Sequence, residues 1–317
     1  MIKNRIENLS IVMSVKNGQK FLSRAIESIL NQSFVNFEFI IVNNDSVDNT
    51  SRILKYYKNL DSRIKILINS NNETLYEGRT KAINKTKYDW FALMDADDEC
   101  DKNRIKEQVN FINKNKLDNL AVVSSYGKYI NYKNNIIGNR YTGPVSLIEF
   151  EKLFKQNQSF SIIDPSAIIN KKIFFQVGGY LKNNIAADLD LFYKIAENGF
   201  KILTVKKPLY YYRVHETSYS VKNSMKQCEV THYINFNMRQ RRNNKKEISE
   251  AEFYKKYWNN FFYRIPRKIL DYSKTHYKIS AYYFIQKKFF FSILNIFFAF
   301  IFSPRYTLKR LYQHLLK

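Results

Sequence analysis

YDWFALMDADDECD, residues 88–101, joins an apolar run to a cluster of acids. The run over 88–94 has strand length and strand composition. Asp95, Asp97, Asp98, Glu99 and Asp101 follow at once, within the nine residues 93–101. One of these carboxylates has an ordinary use, since Asp101 caps the helix expected over 102–114 and offsets its dipole. Capping needs one acid, not four. Asp95-x-Asp97 on a single turn aims two side chains the same way, and such a pair holds a hard divalent cation through oxygen. In a chain with 52 Lys+Arg against 28 Asp+Glu, such a pair implies a metal-bridged phosphate, typically a diphosphate leaving group, because lysines alone would serve a bare phosphate.

Upstream, the chain alternates two periods. LSIVMSV (9–15), FEFIIV (37–42) and RIKILI (63–68) read as strands. Residues 19–31 place Phe21, Leu22, Ala25, Ile26, Ile29 and Leu30 on one helical face, and helices follow over 50–60, with Asp48 as its cap, and 75–85. Strand–helix alternation with short links predicts an α/β fold with a mostly parallel sheet sandwiched by helices. Ligands of such sheets bind at the carboxyl ends of the strands. Asn43, Asn44 and Asp45 follow the second strand and Asp95 to Asp98 the fourth, so two polar clusters fall on one rim.

Downstream, LAVVSSYGKYI (120–130) reads as a strand and 146–156 as a helix. DPSAII (164–169), GGY (178–180), a helix over 188–198 and strands at 201–205 and 208–214 follow. A boundary is expected near 216. Residues 217–317 are basic, aromatic and helical, with 20 Lys+Arg against 5 Asp+Glu, a surplus of fifteen. Two cysteines, Cys100 and Cys228, are too few for a disulfide scaffold and lack metal-type spacing. They fit a reducing, cytoplasmic setting. MIKNRIENLSIV has no apolar segment of the kind that begins a secretion signal.

LSIVMSVKNGQKFLSRAIESILNQSFVNFEFIIVNNDSVDNT, YDWFALMDADD, DPSAIINKKIFFQVGGY, ADLDLFYKIAENGF and LYYYRVHETSYS occur in that order. Over about 9–216 this series resembles the inverting glycosyltransferases of family 2, with the GT-A fold, of the bacterial surface-polysaccharide type. The resemblance implies a catalytic domain over 1–216, with a nucleotide-sugar half at 1–98 and an acceptor half at 99–216, and a helical carboxy-terminal extension at 217–317. It implies that Val15, Asn17 and Gly18 lie beside the base and ribose. Asp95 would contact the ribose or the metal, and Asp97 would ligate Mn2+ or Mg2+ through the donor diphosphate. Asp188 would be the general base, with Asp190 as its rival. His215 would lie near the diphosphate as a ligand or hydrogen-bond partner. Arg79 has two readings, a contact to the nucleotide phosphates or an exposed helix residue.

The chain departs from the family pattern at four places. Asn43-Asn44-Asp45-Ser46 stands where Asp-Asp-Gly-Ser is usual, and Asn44 can accept a hydrogen bond from a base but carries no charge, which weakens the case for a UDP donor. Ser14 and Lys16 replace a usual Pro and aromatic, Asn72-Glu73-Thr74 replaces Asn-Leu-Gly, and Ala187 replaces an acid. An inactive chain is one reading of these changes, but Asp97, Asp188 and His215 all remain.

FFFSILNIFFAFIF (289–302) is a fourteen-residue, largely apolar stretch between Lys287, Lys288 and Arg305, Lys309, Arg310. That is short of the roughly 20 residues needed to span a bilayer. A buried core helix and an interfacial segment on an anionic membrane both fit it. No nucleic-acid module motif is present, so no nucleic acid partner is expected. The implied activity is hexosyltransferase-like, moving a sugar from a nucleotide-sugar donor to a glycan or lipid-linked glycan acceptor. Lipopolysaccharide, O-antigen or capsule synthesis is the implied context, with the enzyme peripheral on the cytoplasmic face of the plasma membrane. Two rivals remain. A metal-dependent nucleotidyltransferase would need the acidic pair but not Asp188, and a non-catalytic membrane or nucleic-acid binder would need only the basic tail.

Overall fold

The computed structural model describes residues 5–69, 74–115, 117, 119–181, 185–215 and 223–315, with 285 and 313–315 in backbone alone. Of the sequence expectations, Asn72, Glu73 and a boundary at 216 lie outside the described residues. The chain divides into two compact units, Met1–Arg213 and Val214–Lys317.

The first unit is built on one sheet in the order β3-β2-β1-β4-β8-β6-β9-β5, with β7 paired to β6. Strands β1 (Leu9–Val15), β2 (Phe37–Asn44), β3 (Ile64–Asn69) and β4 (Trp90–Asp95) are mutually parallel. Every residue of β1 and β2 is buried, so the sheet is covered on both faces there. Each fully buried Ile, Leu or Phe in these strands contributes about 1.5–3 kcal/mol. The register sets Ser14 opposite Asp95, Val15 opposite Asn43 and Asn44 opposite Asn69. The carboxyl ends of four strands therefore share one edge.

Beyond β4 the sheet becomes mixed. The short β8 (Ile168–Asn170) runs antiparallel to both β4 and β6 (Leu120–Ile130), and β6 is parallel to β9 (Lys201–Arg213). Two strands expected at 201–205 and 208–214 are one. Ser125 pairs with Val205 and Tyr126 with Pro208, so Lys206 and Lys207 form a bulge that the strand absorbs. β5 (Glu99–Cys100) and β7 (Ile136–Arg140) complete the sheet. Helices α1 (Leu22–Leu30), α2 (Thr50–Leu60), α3 (Leu75–Asn84), α4 (Arg104–Asn115), α5 (Leu147–Lys155), α6 (Lys171–Gln176) and α7 (Ala187–Glu197) belong to this unit. Asp48 Oδ1 accepts the N–H of Thr50 at 2.9 Å and Asp101 Oδ1 that of Asn103 at 2.9 Å, each a local turn two residues long, whereas the cap position of α2 is Asn49, whose side chain makes no capping bond.

The second unit is helical: α8 (Ser224–Arg242), α9 (Glu250–Phe253) running into a π-helical turn at Tyr254–Trp258, α10 (Phe261–Ile285), α11 (Phe289–Phe302) and α12 (Pro304–Leu315). Tyr233, Phe236, Tyr257 and Tyr263 pack around Phe253, which is fully buried. No helix among the described residues is long and apolar enough to cross a membrane.

Candidate active site

The first two loops on the shared rim are stitched to each other. The Asn17 N–H donates to Ser46 Oγ at 2.9 Å, and the Val47 N–H donates to Asn17 Oδ1 at 3.0 Å. Asn17 and Asp45 both take positive φ, 52° and 51°. Asp45 stands where the family pattern has Gly, and Asn and Asp are the side chains that best tolerate this conformation. Gly18 is required by close approach, because a Cβ there would sit 2.5 Å from Val15 Cγ2. Asn44 is buried rather than presented at the rim. Its Nδ2 donates to Ser14 Oγ at 2.8 Å, and its Oδ1 accepts from Asn69 Nδ2 at 3.3 Å.

Helix α3 lies against this amide network. Gly78 permits it, since any Cβ would collide with Ser14 Oγ and the Asn44 amide. A reciprocal cap between Thr74 and Glu77 starts the helix. That seating delivers two side chains to the end of β4. Arg79, 1 % exposed, donates to Asp95 Oδ1 and to Asp164 Oδ2, both at 2.5 Å. The exposed-helix reading of Arg79 is therefore wrong, and its guanidinium is turned to carboxylates. The second side chain, Tyr76, donates its hydroxyl to Asp188 Oδ1 at 2.9 Å.

Asp188 sits in the first turn of α7, where the helix dipole favours a carboxylate. The GGY turn prepares its surroundings. Gly178 and Gly179 both have positive φ, 89° and 63°, and they bring the Tyr180 ring to 4.9 Å from that of Tyr76. Asp190, two residues on, is buried and paired with Lys194 Nζ at 2.8 Å. The two rivals for the base thus have different surroundings, one half-buried beside Tyr76 and the other tied to a lysine on its own helix.

Asp95, Asp97 and Asp98 bring one oxygen each to within 4.8 Å of one another. Asp98 is buried, and its pKa is raised well above the carboxylate range by burial first and then by the charges of Asp97 and Asp95. Its Oδ1 accepts the Arg213 N–H at 2.7 Å, and its Oδ2 is buried without a hydrogen-bond partner. Burial also raises the pKa of Asp95, against the opposing pull of Arg79. Two buried carboxyls whose charged forms are disfavoured, Asp95 and Asp98, with the Asp97 oxygen beside them and one oxygen unsatisfied, fit a hard divalent cation.

Three residues that hold this site were not singled out from sequence. Arg213, 1 % exposed, donates from Nε to the Asp97 carbonyl at 2.7 Å and pairs with Glu99, while its backbone holds Asp98. It fixes the acidic turn from the end of β9, and its only sequence signal was its place two residues before His215. Asp164, whose pKa is raised to about 7 by burial despite Arg79 and with a contribution from Asp188, shares that arginine with Asp95. Tyr76 is the third. Of the expected residues, Val15, Asn17, Asn44, Arg79, Asp95, Asp97 and Asp188 all lie in the first unit, while His215 belongs to the second.

The model of Glycosyl transferase family 2 matches residues 10–178. An uncharacterized glycosyltransferase of Methanocaldococcus jannaschii is 26% identical over 260 residues, 81% of this chain and 86% of its own. The O-antigen biosynthesis glycosyltransferase WbnJ of Escherichia coli is 25% identical over 257 residues, 72% of this chain and 93% of its own. The Escherichia coli UDP-Glc:alpha-D-GlcNAc-diphosphoundecaprenol beta-1,3-glucosyltransferase WfgD is 31% identical over 148 residues, 46% of this chain and 55% of its own. Among solved structures, S. aureus TarS 1-349 with UDP-GlcNAc superposes with a TM-score of 0.61 at 16% identity, covering 91% of this chain and 89% of that one. A Pyrobaculum calidifontis mannosyltransferase with GDP-Man and Mn2+ gives 0.56 at 11% identity, covering 98% and 79%.

Proposed function

The chain belongs to glycosyl transferase family 2 and is a glycosyltransferase of GT-A fold, and from that premise we propose a metal-dependent, inverting transfer to a lipid-linked glycan. The observation that carries this reading is the convergence of Asp95, Asp97 and Asp98 at the carboxyl end of β4, with Asp188 held by Tyr76. Asp97, with Asp95 and Asp98 beside it, would hold Mn2+ or Mg2+. When bound, the cation supplies charge neutralisation to the departing nucleoside diphosphate, so no general acid is needed.

The remaining chemistry belongs to this chain's own groups. Asp188 removes the proton of the acceptor hydroxyl as that oxygen attacks the anomeric carbon, on the face opposite the departing diphosphate. Tyr76 fixes Oδ1 of Asp188 and leaves Oδ2 for that proton. Arg79 orients Asp95 through their ion pair. Val15, Asn17 and Asp95 line the nucleoside side of the rim. Asn44, engaged inside the α3 contact, supports the base pocket from behind.

The acceptor class rests on the relatives. WbnJ is named for O-antigen biosynthesis and WfgD for a diphosphoundecaprenol-linked sugar. These names support the reading of a role in surface-polysaccharide assembly at the inner face of a membrane. Nucleoside diphosphate release from a panel of UDP-, GDP- and dTDP-sugars, with and without chelator, tests the reading. One donor should be turned over in a chelator-sensitive way, and the anomeric configuration of the transferred sugar should be inverted. Chelator-insensitive turnover or retained configuration would contradict it.

A further inference from the structure

Helix α11 is inside out for a helix in water. Of its fourteen residues only Ser292 and Ala299 are buried, at 2 % and 0 % exposure, whereas Phe290 is 74 %, Ile293 68 % and Phe297 57 % exposed. A surface helix of a soluble protein turns its apolar stripe to the core. Here the large apolar side chains point out and a narrow seam of small and polar residues points in.

That seam is fully formed. Ser280 and Ser292 hydroxyls lie 3.1 Å apart, and Ser292 Oγ also donates to the Ser280 carbonyl at 3.0 Å. Ser273 Oγ donates to the Ala299 carbonyl at 2.7 Å and lies 3.3 Å from Thr307 Oγ1. His276 Nδ1 and Asn295 Oδ1 are 2.8 Å apart. Lys287, at φ 58°, closes the tight connection between α10 and α11. Small residues and hydroxyls between closely packed helices, with bulky apolar groups outside, are what packing requires where the surroundings are as apolar as the side chains.

The charges agree. The fourteen residues of α11 carry none, while Lys287 and Lys288 before it and Arg305, Lys309 and Arg310 after it are all exposed. At about 1.5 Å per residue the helix is roughly 21 Å long, enough to lie within one leaflet and too short to cross two. We propose that α11 is set into the acyl region of one leaflet of an anionic phospholipid membrane, held there by its polar seam to α10 and α12, with the flanking cations at the headgroups. This deepens the membrane partner of the proposed enzyme and rests on that reading only for why the acceptor is met there.

The test uses the full chain and vesicles of phosphatidylcholine with phosphatidylglycerol. The protein should pellet with them at low salt and remain largely bound at high salt, because apolar insertion is not screened. Changing Phe290, Ile293 and Phe297 together to Ser should weaken partitioning by at least about a hundredfold. Helicity and donor turnover on a water-soluble acceptor should not change, since all three side chains are exposed and none is placed in the proposed catalytic machinery. A Phe297→Trp chain should be quenched by lipids brominated on the acyl chain, beyond any quenching of the unsubstituted chain. Protein that stays in the supernatant, or pellets but is released by salt and shows no added quenching, would overturn the proposal. So would a lipid-independent dimer lost in the triple variant, which would assign the face to a second copy. Loss of donor turnover with normal partitioning would instead fault the enzymatic reading and leave the inference standing.

Discussion

The two units solve opposite problems of polarity. In the first, apolar strands fill the interior and the costly groups, clustered carboxylates with a buried arginine, are gathered at one rim where the chain would otherwise repel itself. In the second, hydroxyls fill the helix seam of α10–α12 while phenylalanines face outward. A core of Ile, Val and Phe needs only water outside it to be stable. A seam of Ser, Thr and Asn gives little apolar burial, so an outward Phe face needs something other than water beside it. The first unit therefore gathers charge at one rim, and the second, under the proposal above, turns its apolar face to an apolar medium.

The sharpest way to break this contrast is at the rim. Asp97→Ala should abolish metal-dependent binding of the nucleoside diphosphate, with turnover down by at least about a hundredfold, because metal stabilisation of the leaving group amounts to several kcal/mol. Titration calorimetry with Mn2+ and the nucleoside diphosphate reads this directly. Unchanged affinity would remove the acidic rim from the account, while the vesicle behaviour of α11 should be untouched by this change.

A smaller effect is expected at Tyr76. Tyr76→Phe removes a single hydrogen bond to a carboxylate, at the low end of about 1.5–3 kcal/mol because Asp188 is only half-buried, so transfer should slow by about tenfold while the donor KM holds. If Tyr76 acts by holding Asp188, its loss should cost little more once Asp188 is already Asn. Full additivity of the two changes would mean that Tyr76 serves only packing.

An effect on stability, rather than on turnover, is expected at Asp164. The Asp164 carboxyl titrates at about 7 in the fold, against 3.8 for the ordinary group, because it is buried. Between these values the folded chain holds the proton that the unfolded chain has released. The stability from this group is therefore complete below about pH 4 and lost as pH rises through 7. Asp164→Asn should remove that slope, so the Tm curves of parent and variant should diverge across this window. Parallel curves would show that Asp164 does not carry the proton.

Much of the first unit was legible because its signals are local. Strands β1 to β4 are apolar runs punctuated by helical spacing, and the rim follows from their order. β5 and β8, two and three residues long, are too short to show any period. β9 read as two strands because Lys206, Lys207 and Pro208 interrupt its pattern, and only pairing with β6 shows that the interruption is a bulge. The buried contacts of Arg79, Arg213 and Tyr76 join residues up to 116 apart in sequence, and no local pattern encodes them. Asn44 looked like a base reader by position, yet Gly78 lets α3 cover it. In the tail the helix was legible, but its inward face was not, since periodicity gives a stripe and the surroundings decide which side is inside.

The central claim is that Asp188 is the base of an inverting transfer on a metal-held donor, and Asp188→Asn tests it most directly. The amide is nearly isosteric and still accepts from Tyr76, but it cannot take the proton. The donor dissociation constant should be unchanged while sugar transfer falls by at least about a hundredfold, the low end for a general base. Near-normal transfer with intact donor binding would contradict the account and move the role to Asp190 or to another group.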